Sequence, residues 1–195
     1  MSEPLDFILR FSIFAAVHSL LAIPGVKGAL AHRSGLYRLA YNLLSCLLFG
    51  WVMLVWQSTS VLYLVPGVWS LVCHGLQGVV LLAVVSCLRQ TGMAAFLGTD
   101  LGKNEATPRL HTTGWYRLVR HPLYLLGILF CLLNPVMTTR WLVLTLLSTG
   151  YFLAGALLEE RRLLSVFGFA YEAYRREVPF IIPRVRRSPT APQSA

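Results

Sequence analysis

Long uninterrupted apolar runs constrain this chain more than any other feature of its sequence. A helix needs about 20 apolar residues to cross a ~30 Å hydrocarbon core, and such runs lie near 5 to 23, 39 to 56 and 67 to 88. Two further stretches, roughly 122 to 134 and 141 to 158, are separated by "NPVMTTR". The first of them covers only about 20 Å before Pro135 at 1.5 Å per residue, so it either stops inside the bilayer or forms a compact hairpin with its neighbour. Only 13% of the 195 residues are charged and 56% are hydrophobic, where soluble domains carry about a quarter charged. The expectation is an all-α integral membrane protein with about five transmembrane helices, the fourth and fifth a short helical hairpin.

A net charge of +9 invites a nucleic-acid reading, but in a membrane chain the placement of the positive residues matters more than their sum. Lys27, Arg33 and Arg38 fall between spans one and two, Arg89, Lys103, Arg109, Arg117 and Arg120 between three and four, and seven more arginines follow span five. The segment 57 to 66 carries no charge and "MSEPLDF" leans acidic. The positive-inside rule then puts the N-terminus outside and the C-terminus in the cytosol of a multi-pass membrane protein, with no nucleic-acid partner expected.

The start lacks a basic n-region and a small-residue cleavage site, so the first span is expected to be retained. Cys46, Cys73, Cys87 and Cys131 fall inside apolar runs without paired spacing, which argues against disulfides and a zinc site. No G-x-G-x-x-G follows a strand, so any cofactor site must be built from the helices themselves. The expected layout is three transmembrane helices over 1–88, a cytosolic loop with a cofactor-binding segment over 89–121, a helical hairpin and catalytic region over 122–183, and a disordered tail over 184–195. The segment "EERRLLSVFGFAYEAYRREVPFIIP" spaces Leu163, Leu164, Phe167, Tyr171 and Tyr174 as an amphipathic helix, either a surface anchor or a lid.

Polar groups converge at one place. Arg120 and His121 stand at the cytosolic mouth of the fourth span, Glu159 and Glu160 at the cytosolic end of the fifth, and the hairpin makes those ends neighbours. Pro122 suits the first turn of a helix, where its missing N–H costs nothing, and the free donors and positive dipole end there favour an anion. His121, Tyr124 and Ile128 share one helix face. Taken singly, these residues could be positive-inside charges, an aromatic belt and local ion pairs. Adjacent carboxylates at a membrane edge are costly without a cationic partner or ligand. His18 and His74 lie at different depths, which disfavours a bis-histidine haem; His18 is near enough to reach the mouth, while His32 and His111 read as loop residues.

The motif G-x-Y-x-x-x-RHP-x-Y at Gly114 to Tyr124, then Asn134-Pro135, "EE-x-x-L" at Glu159 to Leu163, "FG-x-x-Y-x-x-Y" at Phe167 to Tyr174 and Val178-Pro179 resemble the isoprenylcysteine carboxyl methyltransferase family over roughly 108 to 183. "HSLLAIPGVK" and "YRLAYN" more loosely resemble bacterial relatives, including methanethiol methyltransferases and NnrU proteins. The resemblance implies an S-adenosylmethionine-dependent membrane methyltransferase. It implies cofactor binding by Tyr116, His121, Pro122, Leu123, Tyr124 and Glu159, leaves Arg120 and Glu160 as catalytic candidates, and implies no metal. The acceptor would be a lipophilic molecule from the bilayer or a small thiol or carboxylate. Where eukaryotic prenylcysteine enzymes carry a substrate-binding arginine, this chain has Gly155, which favours a smaller or uncharged acceptor. An NADPH-dependent reductase of the sterol type and a non-catalytic NnrU-like membrane protein are the rival readings.

Overall fold

Apolar composition decides where the helices run, and their capping residues decide where they stop. A computed structural model describes residues 3–23, 25, 26, 28, 36–55, 59–97, 99 and 109–184. Lys27, His32, Arg33, Lys103 and the tail from 185 lie outside the described residues. The apolar stretches become α1 (Glu3–Ala22), α2 (Tyr37–Met53), α3 (Val68–Thr91), α5 (Pro122–Leu132) and α6 (Thr139–Phe167). A short α4 (Met93–Leu97), a 3-10 turn (Gly114–Arg117) and α7 (Phe169–Glu177) complete the helical content.

Three helices, α1, α3 and α6, are long and apolar enough to cross a membrane, and α5 is a shorter apolar helix. The outward faces of α2 and α3 are not polar: Leu47 on α2 and Leu71 and Leu82 on α3 stand 70–72% exposed, an exterior that suits lipid and would be a liability in water. Thr138 starts α6 by accepting the Trp141 N–H at 3.1 Å. At the other end Gly168, at φ +51, breaks α6 from α7 while its N–H caps the Leu164 carbonyl at 2.9 Å.

The chain is not helical throughout. Val61–Leu64 (β1) and Val136–Thr138 (β2) form an antiparallel pair in the register Val61 with Thr138, Tyr63 with Met137 and Leu64 with Val136. This departs from the all-α expectation and has a physical origin in the shortness of α5. Eleven residues of α5 rise only about 16 Å, and the extended segment after it carries the chain onward to the start of α6. Backbone that leaves a helix in apolar surroundings must find other hydrogen-bond partners. The pair supplies them, extended by Val65 N–H donating to the Pro135 carbonyl at 2.9 Å.

Helix α1 packs on α2 and touches α6, while α3 lies on α5, α5 on α6, and α7 folds back on α6. Buried clusters mark the two ends of the bundle. Phe7, Phe11, Val52 and Leu144 close the end near β1 and β2. At the other end Tyr171, Tyr174 and Val178 pack with Leu110, Tyr116, Leu163 and Phe167. Helix α6, at 29 residues, is about 43 Å long, so its last turns project past a bilayer core and bring Glu159, 20 residues after Thr139, about 30 Å from its start.

Candidate active site

The mouth of α5 is built from three separate stretches of chain. Pro122 opens α5 with no side-chain cap on its first turn, leaving the early N–H groups without intrahelical partners. The preceding residues are held as an extended pair with the segment after α7: Arg120 N–H donates to the Pro179 carbonyl at 2.9 Å and His121 N–H to that of Phe180 at 3.2 Å. Helix α6 contributes the two glutamates.

Those glutamates, adjacent in sequence, have different partners. Arg120 Nε donates to Glu160 Oε1 at 2.6 Å, and His121 Nε2 lies 3.3 Å from the same oxygen. The Arg120 guanidinium also donates through Nη1 to the Arg175 and Val178 carbonyls at 3.0 and 2.7 Å, and it sits 5.5 Å from the Phe180 ring centre. Both side chains of this ion pair are 11% exposed, so each is matched and largely dry. Glu159 is 46% exposed and lies 3.6 Å from His121 Nδ1; its other neighbour is the Tyr124 hydroxyl, which donates to Oε2 at 3.1 Å. One carboxylate is engaged in the architecture and the other is left open.

Aromatic rings set the floor of the mouth. His121 stacks on Tyr124 at 5.6 Å, Tyr124 on Phe152 at 5.6 Å, and Phe180 meets His121 edge-on at 5.0 Å. Gly127 allows this approach of α5 to α6, because a Cβ there would stand 2.8 Å from the Phe152 ring. Gly155 also faces the mouth: a Cβ there would lie 3.7 Å from the Tyr124 hydroxyl, so a long side chain at this position would be directed across the open carboxylate.

Behind the mouth, burial, with Cys87 and then Glu159 adding to it, pushes the Tyr116 phenol well above its ordinary range. Burial likewise raises Tyr171, with Glu160 beside it, and pushes Tyr174 up to about 12 against the opposing influence of Arg120. All three therefore stay protonated near neutrality, and Tyr174 spends its proton on the Tyr116 carbonyl at 2.7 Å. This ties α7 to the turn that carries Tyr116.

The residues singled out in the sequence thus meet at one place: Arg120, His121, Pro122 and Tyr124 at the start of α5, Leu123 in its first turn, Glu159 and Glu160 opposite, and Tyr116 beneath. Phe152, Phe180 and the carbonyls of Val178 and Pro179 were not singled out as members. Val178-Pro179 stood in the motif, but its backbone role has no side-chain signature. His111 approaches Tyr116 at 6.1 Å between ring centres, and His74 bonds Gln77 at 3.0 Å on α3, in a different part of the molecule. Among the described residues no cluster of His, Cys, Asp or Glu could hold a metal ion.

No family model matches the chain, and no solved structure matches it. Among curated proteins it is 34% identical over 198 residues to methanethiol S-methyltransferase 2 of Bradyrhizobium diazoefficiens, a match that covers 91% of this chain and 72% of that protein. It is 32% identical over 192 residues to the methanethiol S-methyltransferase of a Pseudomonas species, covering 92% of this chain and 72% of the relative. A shorter match, 41% identical over 68 residues, links it to the methanethiol S-methyltransferase of Mycobacterium tuberculosis, covering 35% of this chain and 28% of that one.

Proposed function

The chain belongs to the family of the methanethiol S-methyltransferases, and from that premise we propose that it is an integral membrane methyltransferase which uses S-adenosylmethionine to methylate a small thiol. The observation that carries this reading is the unequal use of the two glutamates. Glu160 is consumed by Arg120, whereas Glu159 is 46% exposed, oriented by Tyr124 and placed opposite an uncapped helix start. A zwitterionic, sulfonium-bearing ligand asks for this combination of an anion-binding helix end and a nearby carboxylate.

S-adenosylmethionine, when bound, supplies a methyl group already activated by a cationic sulfur. The protein's part is then to bind, orient and exclude water. The first-turn N–H groups of Leu123 and Tyr124, after Pro122, suit the cofactor's carboxylate. Glu159 suits its positive groups, and Tyr124 fixes the rotamer of Glu159 by hydrogen bonding. His121 and Tyr116 supply a ring and a neutral phenol at the margin of the same mouth. Arg120 and Glu160 keep the mouth in shape and lend it a fixed charge pair.

Gly155 supports a small acceptor, because no side chain reaches from it across Tyr124. The membrane reading extends the three long apolar helices to five crossings, with α2 and the α5 plus β2 segment completing the set, the N-terminus outside and the glutamates at the cytosolic edge.

Two measurements test this. Calorimetry of the detergent-purified protein with S-adenosylhomocysteine should give saturable heat; heat of dilution alone from folded protein refutes the cofactor assignment. Transfer of labelled methyl from S-adenosylmethionine to a panel of volatile thiols, carboxylates and extracted lipids should label a thiol, and label confined to lipid would replace the proposed acceptor.

A further inference from the structure

Next to the mouth, α1, α2, α4 and α6 enclose a cleft of about 340 Å³ whose lining includes Tyr37, Arg38, Tyr41, Asn42, Phe96 and Arg162. Arg162 lies three residues beyond Glu159 and so nearly on the same face of α6. One wall of the cleft is backed by polar groups inside two apolar helices. Tyr41 and Ser45 on α2 hold His18 on α1 between them, with Tyr41 Oη 2.7 Å from Nε2 and Ser45 Oγ 2.9 Å from Nδ1. An ionisable side chain in such surroundings needs a reason.

The direction of these bonds follows from counting hydrogens. Ser45 has one hydroxyl hydrogen, and it donates that to the Tyr41 carbonyl at 2.7 Å. Toward His18 it can then only accept, so Nδ1 carries the imidazole proton. A neutral imidazole has one N–H, which leaves Nε2 bare and makes Tyr41 the donor to it. The Tyr41 oxygen is therefore left with lone pairs on the cleft side, backed by a base that is waiting for the phenol's hydrogen.

The same cluster is joined to the mouth by continuous ring contacts. From His121 they run through Tyr124 at 5.6 Å, Phe152 at 5.6 Å, Tyr151 at 6.5 Å and His18 at 6.2 Å to Tyr41 at 4.9 Å. Tyr151 is fixed by Ser19 at 2.9 Å. Packed rings thus join the wall of the cleft to the mouth.

We propose that this cleft receives the methyl acceptor, and that Tyr41 is the catalytic residue that takes the proton of a thiol, with two positioning residues behind it: His18, which holds the Tyr41 hydroxyl and accepts its proton in turn, and Ser45, which holds the His18 ring. The inference rests on the methyltransferase reading and deepens it. As the acceptor sulfur forms its bond to the methyl carbon, the bond from that carbon to the donor sulfonium breaks and its electron pair stays on the donor sulfur. The thiol proton moves to Tyr41 Oη while the Tyr41 proton moves to His18 Nε2. A neutral thiol and a sulfonium thereby become two neutral thioethers and an imidazolium, so one positive charge is present before and after. The need is real because the thiolate is the nucleophile. A carboxylate acceptor, already ionised, would have no use for this arrangement.

The test compares acceptors of different acidity in the full-length protein. With methanethiol, Tyr41→Phe and His18→Gln should each slow methyl transfer by about 100-fold, the lower end of general-base effects. With trifluoroethanethiol, which loses its proton more readily, or an alkyl selenol, already ionised near neutrality, the loss should shrink to about threefold on the same reasoning. Binding of S-adenosylhomocysteine by calorimetry should be unchanged in both variants. Equal losses for all acceptors, or undiminished transfer to methanethiol, overturn the proton relay. If a variant no longer binds S-adenosylhomocysteine and so has lost its fold, Ser45→Ala decides: it leaves Tyr41 and His18 in place, and transfer to methanethiol as fast as in the wild type overturns the relay. A wild-type protein that binds no S-adenosylhomocysteine overturns the methyltransferase reading itself.

Discussion

The two ends of the helix bundle are made by the same long helices and built on opposite principles. At the end near β1 and β2, Phe7, Phe11, Val52 and Leu144 pack into an apolar cluster, and the neighbouring backbone is satisfied by strand pairing. At the other end, charges and phenols meet: Arg120 with Glu160, His121 between two carboxylates, Tyr124 on Glu159. Apolar packing is non-directional and tolerates change by degrees. A polar cluster in dry surroundings is satisfied only as a set, so one loss is felt by all its members. Within the polar end the same contrast recurs between Glu160, matched and covered, and Glu159, left open.

Mutations should separate these regimes. Arg120→Ala is expected to have the largest effect, about 3–5 kcal/mol of stability, the cost of leaving a buried carboxylate unpaired, with S-adenosylhomocysteine binding abolished; denaturant titration and calorimetry read the two. Phe11→Ala should cost about 3 kcal/mol by opening a cavity and leave the binding constant within about twofold, since an independent and distant site should add without coupling. Binding weakened in step with stability would mean that the ends are coupled. Glu159→Gln reverses the signature: about tenfold weaker binding, from loss of a charge-assisted bond, with the melting temperature nearly unchanged. The smallest effect belongs to Tyr124→Phe, about fivefold in binding from one hydrogen bond. A large fall in stability in either of the last two would assign that residue to the architecture instead.

Much of this was legible in the sequence. The apolar runs located α1, α2, α3, α5 and α6, Pro122 marked the first turn of α5, and the topology of a hairpin brought Arg120 and His121 opposite Glu159 and Glu160. The division of labour between the two glutamates was not legible. Neighbouring residues on a helix point about 100° apart, and which one meets Arg120 depends on the carbonyls of Arg175 and Val178 that aim its guanidinium. The strand pair escaped for a different reason: "VLYL" and "VMT" are four and three residues long, too short for alternation to declare itself. His18, Tyr41 and Ser45 are isolated polar letters in apolar runs, and only the packing of α1 on α2 makes a unit of them.

The backbone pairing of Arg120 and His121 with Pro179 and Phe180 also has a meaning in time. During synthesis the chain emerges in order, and α1 and α3, two of the helices long and apolar enough to cross a membrane, can leave the ribosome before the segment near 180 exists. Until it arrives, the guanidinium of Arg120 lacks the Val178 carbonyl 58 residues further on, and the mouth of α5 has no second edge. Helix formation and closure of the mouth are thereby separated: the first helices are laid down early, and the mouth gains its second edge only from the segment near 180.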